Sequence, residues 1–396
     1  MLPRNLQHCR RLLERMDFVL LFCMLVLLAV GVLTIYGAGQ KAGGAFETYW
    51  LRQLAGIGIG FMLFHACLLI DYRQLGRDAW ILYGAMLILL VLVLVMGLVV
   101  NRSRSWIAVI PGFTLQPAEV AKPATLFFLA WTLSRPALRI KGWGSLAPHL
   151  LVLAVPMGLI ILQPDVGTAL VFLGIAAPMF FLAGFRWKWI LILLTIVAVA
   201  LPVGYKVLEN YQHQQLTAAQ ASRGGGQKYE RSRIYNRLHT FLHPSENADS
   251  SGWNARQALL AVGSGGAAGK GFMKGTQHEL GFLPRTVAPT DFIFSVIGEE
   301  NGFIGSLVVV GAFLIIILRC LRISALADDD FGAFMAAGVA GMFFTHAYIN
   351  IGMNVYAAPI IGIPLPLISY GGSFILCSLV CLGLMQSVYV HRRQVE

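Results

Sequence analysis

The chain has 396 residues, of which 57% are hydrophobic and only 12% charged, about half the charged share of a soluble globular domain. One ordinary core cannot cover that much apolar surface, so the composition excludes a water-soluble fold and points to a lipid solvent. The formal charge of +11 does not indicate nucleic acid: Lys and Arg stand in short clusters between apolar runs, and no basic face is interleaved with aromatics.

A basic stretch from Met1 to Arg15 precedes the apolar run Phe18–Tyr36. That order mimics a signal peptide, but the run is long enough to span and no small-residue cleavage site in a polar setting follows, so it reads as a retained first helix. Ten apolar segments follow one another at roughly 17–37, 53–70, 80–100, 118–134, 148–163, 166–185, 188–205, 291–318, 332–354 and 367–390. Several reach about 20 residues, enough to cross about 30 Å of hydrocarbon. The fourth to sixth are shorter and carry polar residues, as tilted or broken spans do. The expected fold is an all-α integral membrane protein of about ten transmembrane helices, a single polytopic domain over 1–396 with a large extracytoplasmic loop, 206–290, between helices 7 and 8. Residues 209–232 of that loop are polar and Gly-containing and are expected to be mobile. From Ile234 to Pro289 aromatics return, with glycines clustered at 263–271, as in a segment packed on the membrane domain. The six cysteines lie in apolar segments or the basic tail, so neither a structural disulfide nor a Cys-based metal site is expected.

Charge bias sets the orientation. Arg4, Arg10, Arg11, Arg15, Arg73, Arg77, Arg135, Arg139, Lys141, Arg186, Lys188, Arg319, Arg322, Arg392 and Arg393 fall on one side, against Lys41, Arg52, Arg102, Arg104 and Lys122 on the other. The positive-inside rule then places both termini in the cytoplasm.

Polar groups at the rims of apolar segments are costly, and on this map they gather on the outer side. Glu119 and Lys122 open the fourth segment three residues apart, on one helix face; a neutralising ion pair and a functional pair are both open. Asp165 follows Pro164 and precedes Gly167 and Thr168, where a helix cap would account for it. Thr290 is a plausible N-cap for the eighth segment, which puts Asp291 in the first turn. Glu299 and Glu300 lie about two turns deeper, and at least one must face water or a partner charge. Arg102 and Arg104 before Trp106 suit phosphates. Three prolines, Pro359, Pro364 and Pro366, predict a re-entrant or loop element between Asn354 and Ser369. The run Ser369-Tyr370-Gly371-Gly372-Ser373 could approach a ligand through its backbone or simply pack helices closely.

The blocks Leu115–Lys122, Gln163–Thr168, Gly263–Gln277, Thr290–Gly305 and Asn350–Ser373, in this order along the whole chain, resemble the SEDS family (shape, elongation, division and sporulation). The Gly-Ile-Pro-Leu-Pro run at 362–366 is closest to its RodA-type elongation branch. Two departures are Ser105, where the family has a basic residue before the Trp, and Pro289, where His is frequent. The resemblance implies ten helices in the bacterial inner membrane and a peptidoglycan glycosyltransferase that polymerises lipid II at the outer face for cell elongation and shape. It implies a class B penicillin-binding protein as partner. It makes Asp291 the essential aspartate, with Glu119, Lys122 and Asp165 as polar cavity residues.

On that reading Asp291 is the catalytic base. Arg102, Arg104, Lys122, Glu119, Asp165, Ser369 and Tyr370 form the substrate and pyrophosphate site. A divalent cation, Mg or Mn, held by Glu119 and Asp165, is the one cofactor those carboxylates suggest, with no organic cofactor. Two rivals share the same polar residues: a lipid II flippase or transporter, and a ligase of lipid-linked polysaccharides.

Overall fold

A computed structural model describes residues 12, 14–100, 103–110, 113–138, 140, 143–185, 233–242, 251–282 and 287–392. Its helices are α1 (Phe18–Ala42), α2 (Tyr49–Leu69), α3 (Tyr72–Arg77), α4 (Ala79–Met96), α5 (Pro117–Ser134), α6 (Trp143–Ile161), α7 (Val166–Leu182), α8 (Arg233–Leu242), α9 (Ser251–Ser264), α10 (Thr276–Glu279), α11 (Ile293–Leu326), α12 (Asp330–Asn354) and α13 (Gly372–Val390). Among the described residues, seven helices are long and apolar enough to cross a membrane (α1, α2, α4, α6, α11, α12 and α13), and α7 is a shorter apolar helix. Phe22, Met62, Val95, Met96 and Phe303 turn bulky apolar side chains outward and are exposed. Lipid tails solvate such a surface, whereas water would drive it together. The protein is therefore an all-helical membrane protein apart from one small sheet. The expected seventh segment, 188–205, and the expected mobile stretch, 209–232, lie outside the described residues.

The apolar run expected to continue to residue 100 instead leaves the helix at Gly97. Residues Leu98–Val100 (β1), Ser103–Ile110 (β2) and Phe113–Leu115 (β3) form an antiparallel sheet in the order β1-β2-β3. Leu98 pairs with Trp106 and Ile107 with Leu115. Val-rich sequence after a glycine favours this extended pairing, which satisfies backbone groups at the end of the bundle.

Two ends of the bundle can be told apart by their polar ties. At the terminal end, Asp17 caps α1 by accepting from the Leu20 amide (3.1 Å), and its other oxygen accepts from Arg319 Nε of α11 (2.6 Å). Gln386 of α13 accepts from the Asp17 amide and donates to its carbonyl. Nearby Tyr72 and Arg73 donate to Asp329 (2.5 and 2.8 Å). Each buried charge thus has a partner from another helix, as burial requires. The other end gathers the sheet, the 3₁₀ turn Gly44–Thr48, the segments 265–282 and 287–292 and the proline-containing segment 355–371. We call it the loop end.

Helix α11 explains much of that end. Its 34 residues would span about 51 Å at 1.5 Å each, well beyond a hydrocarbon core of about 30 Å. The helix is broken at Gly302 (φ 64°, ψ −160°). Breaking a helix orphans amides and carbonyls, and here another segment supplies partners for four of them. Lys270 and Gly271 amides donate to the Glu299 and Glu300 carbonyls (both 3.0 Å). The Phe303 and Ile304 amides donate to the Gly266 and Ala267 carbonyls (2.8 and 3.1 Å). Approach is so close that a Cβ on Gly302 would lie 2.3 Å from the Gly269 nitrogen. The glycine cluster at 263–271 is ordered and packed on the membrane helices, because only glycines allow two backbones to meet in this way.

The carboxylates of the same turn complete the clasp. Glu299 Oε1 accepts from Lys270 Nζ (2.6 Å) and from the Thr276 and Gln277 amides (2.7 and 2.9 Å). Glu300 lies 3.9 Å from Lys41 Nζ, which also donates to the Gly275 carbonyl. Both acids therefore have partners, where the sequence required only that one should.

Candidate active site

Helix α5 starts with Pro117 in its first turn, where the missing amide costs nothing. It brings Gln116, Glu119 and Lys122 to the loop end. Asp165 is the N-cap of α7: its carboxylate accepts from the Thr168 amide (3.1 Å) and hydroxyl (2.9 Å). It also accepts from Gln116 Nε2 (3.0 Å). Asp165 is thus the expected cap, and the same side chain joins α7 to α5.

One turn deeper, Glu119 and Lys122 form an ion pair at 2.7 Å, one of the two readings their spacing left open, and both are buried. Lys122 Nζ also lies 3.0 Å from His346 Nε2 of α12 and 4.9 Å from the centre of the Phe374 ring. Carboxylate, imidazole and ring face together compensate a cation that burial would otherwise make very costly. Lys122 has no face to solvent in this arrangement.

Asp291 is half-buried and stands in a turn ahead of α11, not in its first turn. Thr290 is not a cap either: its hydroxyl donates to the Val287 carbonyl. The cap comes from α12, where the Asn354 side-chain oxygen accepts from the Ser295 amide (3.1 Å) and the Ser295 hydroxyl. Asn350 and Asn354 both donate to the Asp291 backbone carbonyl at 3.1 Å. Capping is thus done without the Asp291 carboxylate. A Cβ added at Gly362 (φ +79°) would sit 3.4 Å from Asp291 Oδ2 and 3.9 Å from Arg237 Nη2. Gly362 therefore lies against both the acid and the guanidinium, in a conformation that suits glycine. Arg237, from α8, is anchored by donating to the Ile361 carbonyl (2.7 Å). Burial raises the Asp291 carboxyl to about 6, with Arg237 pulling it down and the nearby Asp165 charge adding to the rise.

Ser369 is fully buried and structural: its hydroxyl donates to the Thr290 carbonyl (2.6 Å) and accepts from the Leu365 amide (2.8 Å). The Tyr370 amide donates to the Pro289 carbonyl (2.9 Å). Its ring stacks on Tyr49 at 4.0 Å, and its phenol hydrogen-bonds with Arg52. The segment 355–371 is non-helical, as its prolines predict. It locks the turn that carries Asp291.

The structure brings together Asp291, Asp165, Glu119, Lys122, Ser369 and Tyr370. It does not place the expected phosphate arginines: Arg102 lies outside the described residues, and Arg104 falls in β2 with its side chain outside them. Two residues escaped the sequence reading. Arg237 sits in a long loop whose charges carry no topological weight. His346 is announced only by spacing, since His346, Asn350 and Asn354 recur every four residues on one face of an apolar helix. The two carboxylates suggested for a divalent cation, Glu119 and Asp165, both have protein partners here. Glu119 is engaged by Lys122 and Asp165 by Gln116 and Thr168, and among the described residues no three His, Cys, Asp or Glu side chains gather to hold a cation.

Known proteins match this chain over most of its length. The family model of FtsW, RodA and SpoVE cell cycle proteins matches residues 17–394. The peptidoglycan glycosyltransferase RodA of Treponema pallidum is 33% identical, the match covering 94% of this chain and 97% of the relative. The peptidoglycan glycosyltransferase MrdB of Escherichia coli is 31% identical over 96% and 95%. Among solved structures, a peptidoglycan synthase complex that coordinates polymerization and crosslinking matches with a TM-score of 0.75 at 28% identity, over 96% of this chain and 99% of that one. The rod shape determining protein RodA of Thermus thermophilus matches with a TM-score of 0.66 at 27% identity, over 96% and 98%.

Proposed function

The chain belongs to the FtsW, RodA and SpoVE family, the SEDS proteins, and from that premise we propose that it is a peptidoglycan glycosyltransferase polymerising lipid II at the outer face of the cytoplasmic membrane. The loop end then faces outward, both termini are cytoplasmic, and a class B penicillin-binding protein is the partner. A role in elongation and cell shape is favoured by the Gly-Ile-Pro-Leu-Pro run at 362–366.

The observation that carries the reading is the meeting of the Asp291 carboxylate and the Arg237 guanidinium at Gly362. The C4 hydroxyl of one lipid II attacks the anomeric carbon of a second. A C–O bond forms there as the bond to the pyrophosphate oxygen breaks. The hydroxyl proton passes to Asp291, whose raised basicity near neutrality suits a general base. The polyprenyl pyrophosphate leaves with the bond electrons, and Arg237 is the cation placed to meet its charge. A single displacement inverts the anomeric centre, by analogy with inverting glycoside hydrolysis. Lys122, being buried, acts through Glu119 and its neighbours rather than by touching phosphate.

The test gives the purified chain, with its partner, fluorescent lipid II in liposomes. Polymer is the expected product. Movement of lipid II between leaflets without polymer would instead establish the transporter and overturn the proposal.

A further inference from the structure

His346 is a buried titratable side chain at the site for which the reaction above has no use. Its two ring nitrogens have different partners: Nδ1 lies 3.0 Å from the Pro364 carbonyl, and Nε2 lies 3.0 Å from Lys122 Nζ. A carbonyl can only accept, so Nδ1 carries the proton. A lysine ammonium can only donate, so Nε2 presents its lone pair. Both contacts are satisfied together by the neutral ring in this one tautomer. The ring also packs on Phe374, at 4.9 Å between centroids, the same ring that lies under Lys122.

The contact joins two parts of the site that sequence separates widely. On one side is the Glu119–Lys122 pair of α5. On the other is the segment 361–365, which anchors Arg237 through Ile361, sets Gly362 against Asp291 and Arg237 and is held by Asn350 through Ile363. We infer that His346 is a positioning residue for the transfer reaction: as a fixed acceptor for Lys122 and donor to Pro364, it sets the distance between the buried cation and the loop that shapes the Asp291–Arg237 space. The inference rests on the glycosyltransferase reading and adds to it a residue that touches no substrate. Geometric errors of about an ångström at such a site cost up to roughly 10²-fold in rate.

The test compares His346→Phe with His346→Gln in the full chain with its partner, using lipid II polymerisation. Phe keeps an aromatic ring but offers no acceptor. Gln can accept from Lys122 and donate to Pro364 at once. His346→Phe should lower kcat by roughly tenfold or more with KM nearly unchanged, and His346→Gln should recover most of the loss. If Phe does not accumulate, His346→Leu takes its place. Adding Lys122→Met to the Phe variant should cost nothing beyond Lys122→Met alone, because both changes break one linkage. Full kcat in His346→Phe, a Gln variant as slow as the Phe variant, or losses that multiply in the double variant would each overturn the inference. If the wild-type chain makes no polymer, the glycosyltransferase reading itself has failed. The contact is then judged by thermal unfolding in detergent of the two single variants and the double, where additive shifts in Tm overturn it.

Discussion

Asn354 holds Asp291 by its backbone and not by its carboxylate: Asn354 Nδ2 donates to the Asp291 carbonyl at 3.1 Å, while its oxygen caps α11 through Ser295. The carboxylate is therefore spared from structural duty, although a helix start is where capping would be the bland explanation of an aspartate.

Asp291→Asn should consequently fold and insert normally while polymerisation falls by roughly 10²-fold or more, within the range of a positioned base. Asp165→Asn should be milder, since Asn can still accept from the Thr168 amide and hydroxyl. Polymer yield at matched expression decides. Near-normal yield from Asp291→Asn removes the proposed base.

The pH profile carries a second expectation. The carboxyl of Asp291 is raised to about 6, and a base must be deprotonated, so kcat/KM should climb as pH rises through about 6 and fall below it. Arg237 lowers this value and Asp165 raises it. Arg237→Gln should thus move the acid limb to higher pH, and Asp165→Asn to lower pH. Stability has the opposite sign: a carboxyl raised above its unfolded value contributes stability at low pH that is lost as pH rises through the folded value. At pH 7.5, Asp291→Asn should therefore unfold at a higher Tm than the parent. Limbs that move together, or a lower Tm, contradict this account.

Gly302 and Gly269 make a prediction about the clasp. A Cβ at Gly302 would stand 2.3 Å from the Gly269 nitrogen, and one at Gly269 2.2 Å from the Glu300 carbonyl oxygen, both at positive φ. Gly302→Ala and Gly269→Ala should each destabilise by a few kcal/mol, as strained backbone sites do. Gly311→Ala, with nothing within 4 Å on the same helix, should be neutral or mildly stabilising. Thermal unfolding in detergent checks the contrast.

Orientation is tested by single cysteines introduced at positions 225 and 394 and treated with a membrane-impermeant thiol reagent in intact cells. Charge bias predicts labelling at 225 only. Labelling at 394 alone would reverse the map.

Features that depend on near neighbours in the chain are legible in the sequence itself. Run lengths of apolar residues mark the spans, because crossing a bilayer imposes a length. Glu119 and Lys122 pair because three residues bring side chains to one helix face. Asp165 caps α7 because a cap bonds the amide three residues on. What tertiary structure alone decides depends on partners far apart in the chain. Arg237 meets Ile361 across 124 residues and His346 meets Lys122 across 224; no local period encodes either distance. The cap of α11 comes from Asn354 rather than Thr290, since a side chain from a packed helix can reach the same amide. The break at Gly302 has no local signature for the same reason. A glycine inside an apolar helix is ordinarily tolerated, and only the second backbone at 265–271, which takes over its orphaned hydrogen bonds, turns that glycine into a place where the helix can stop and restart.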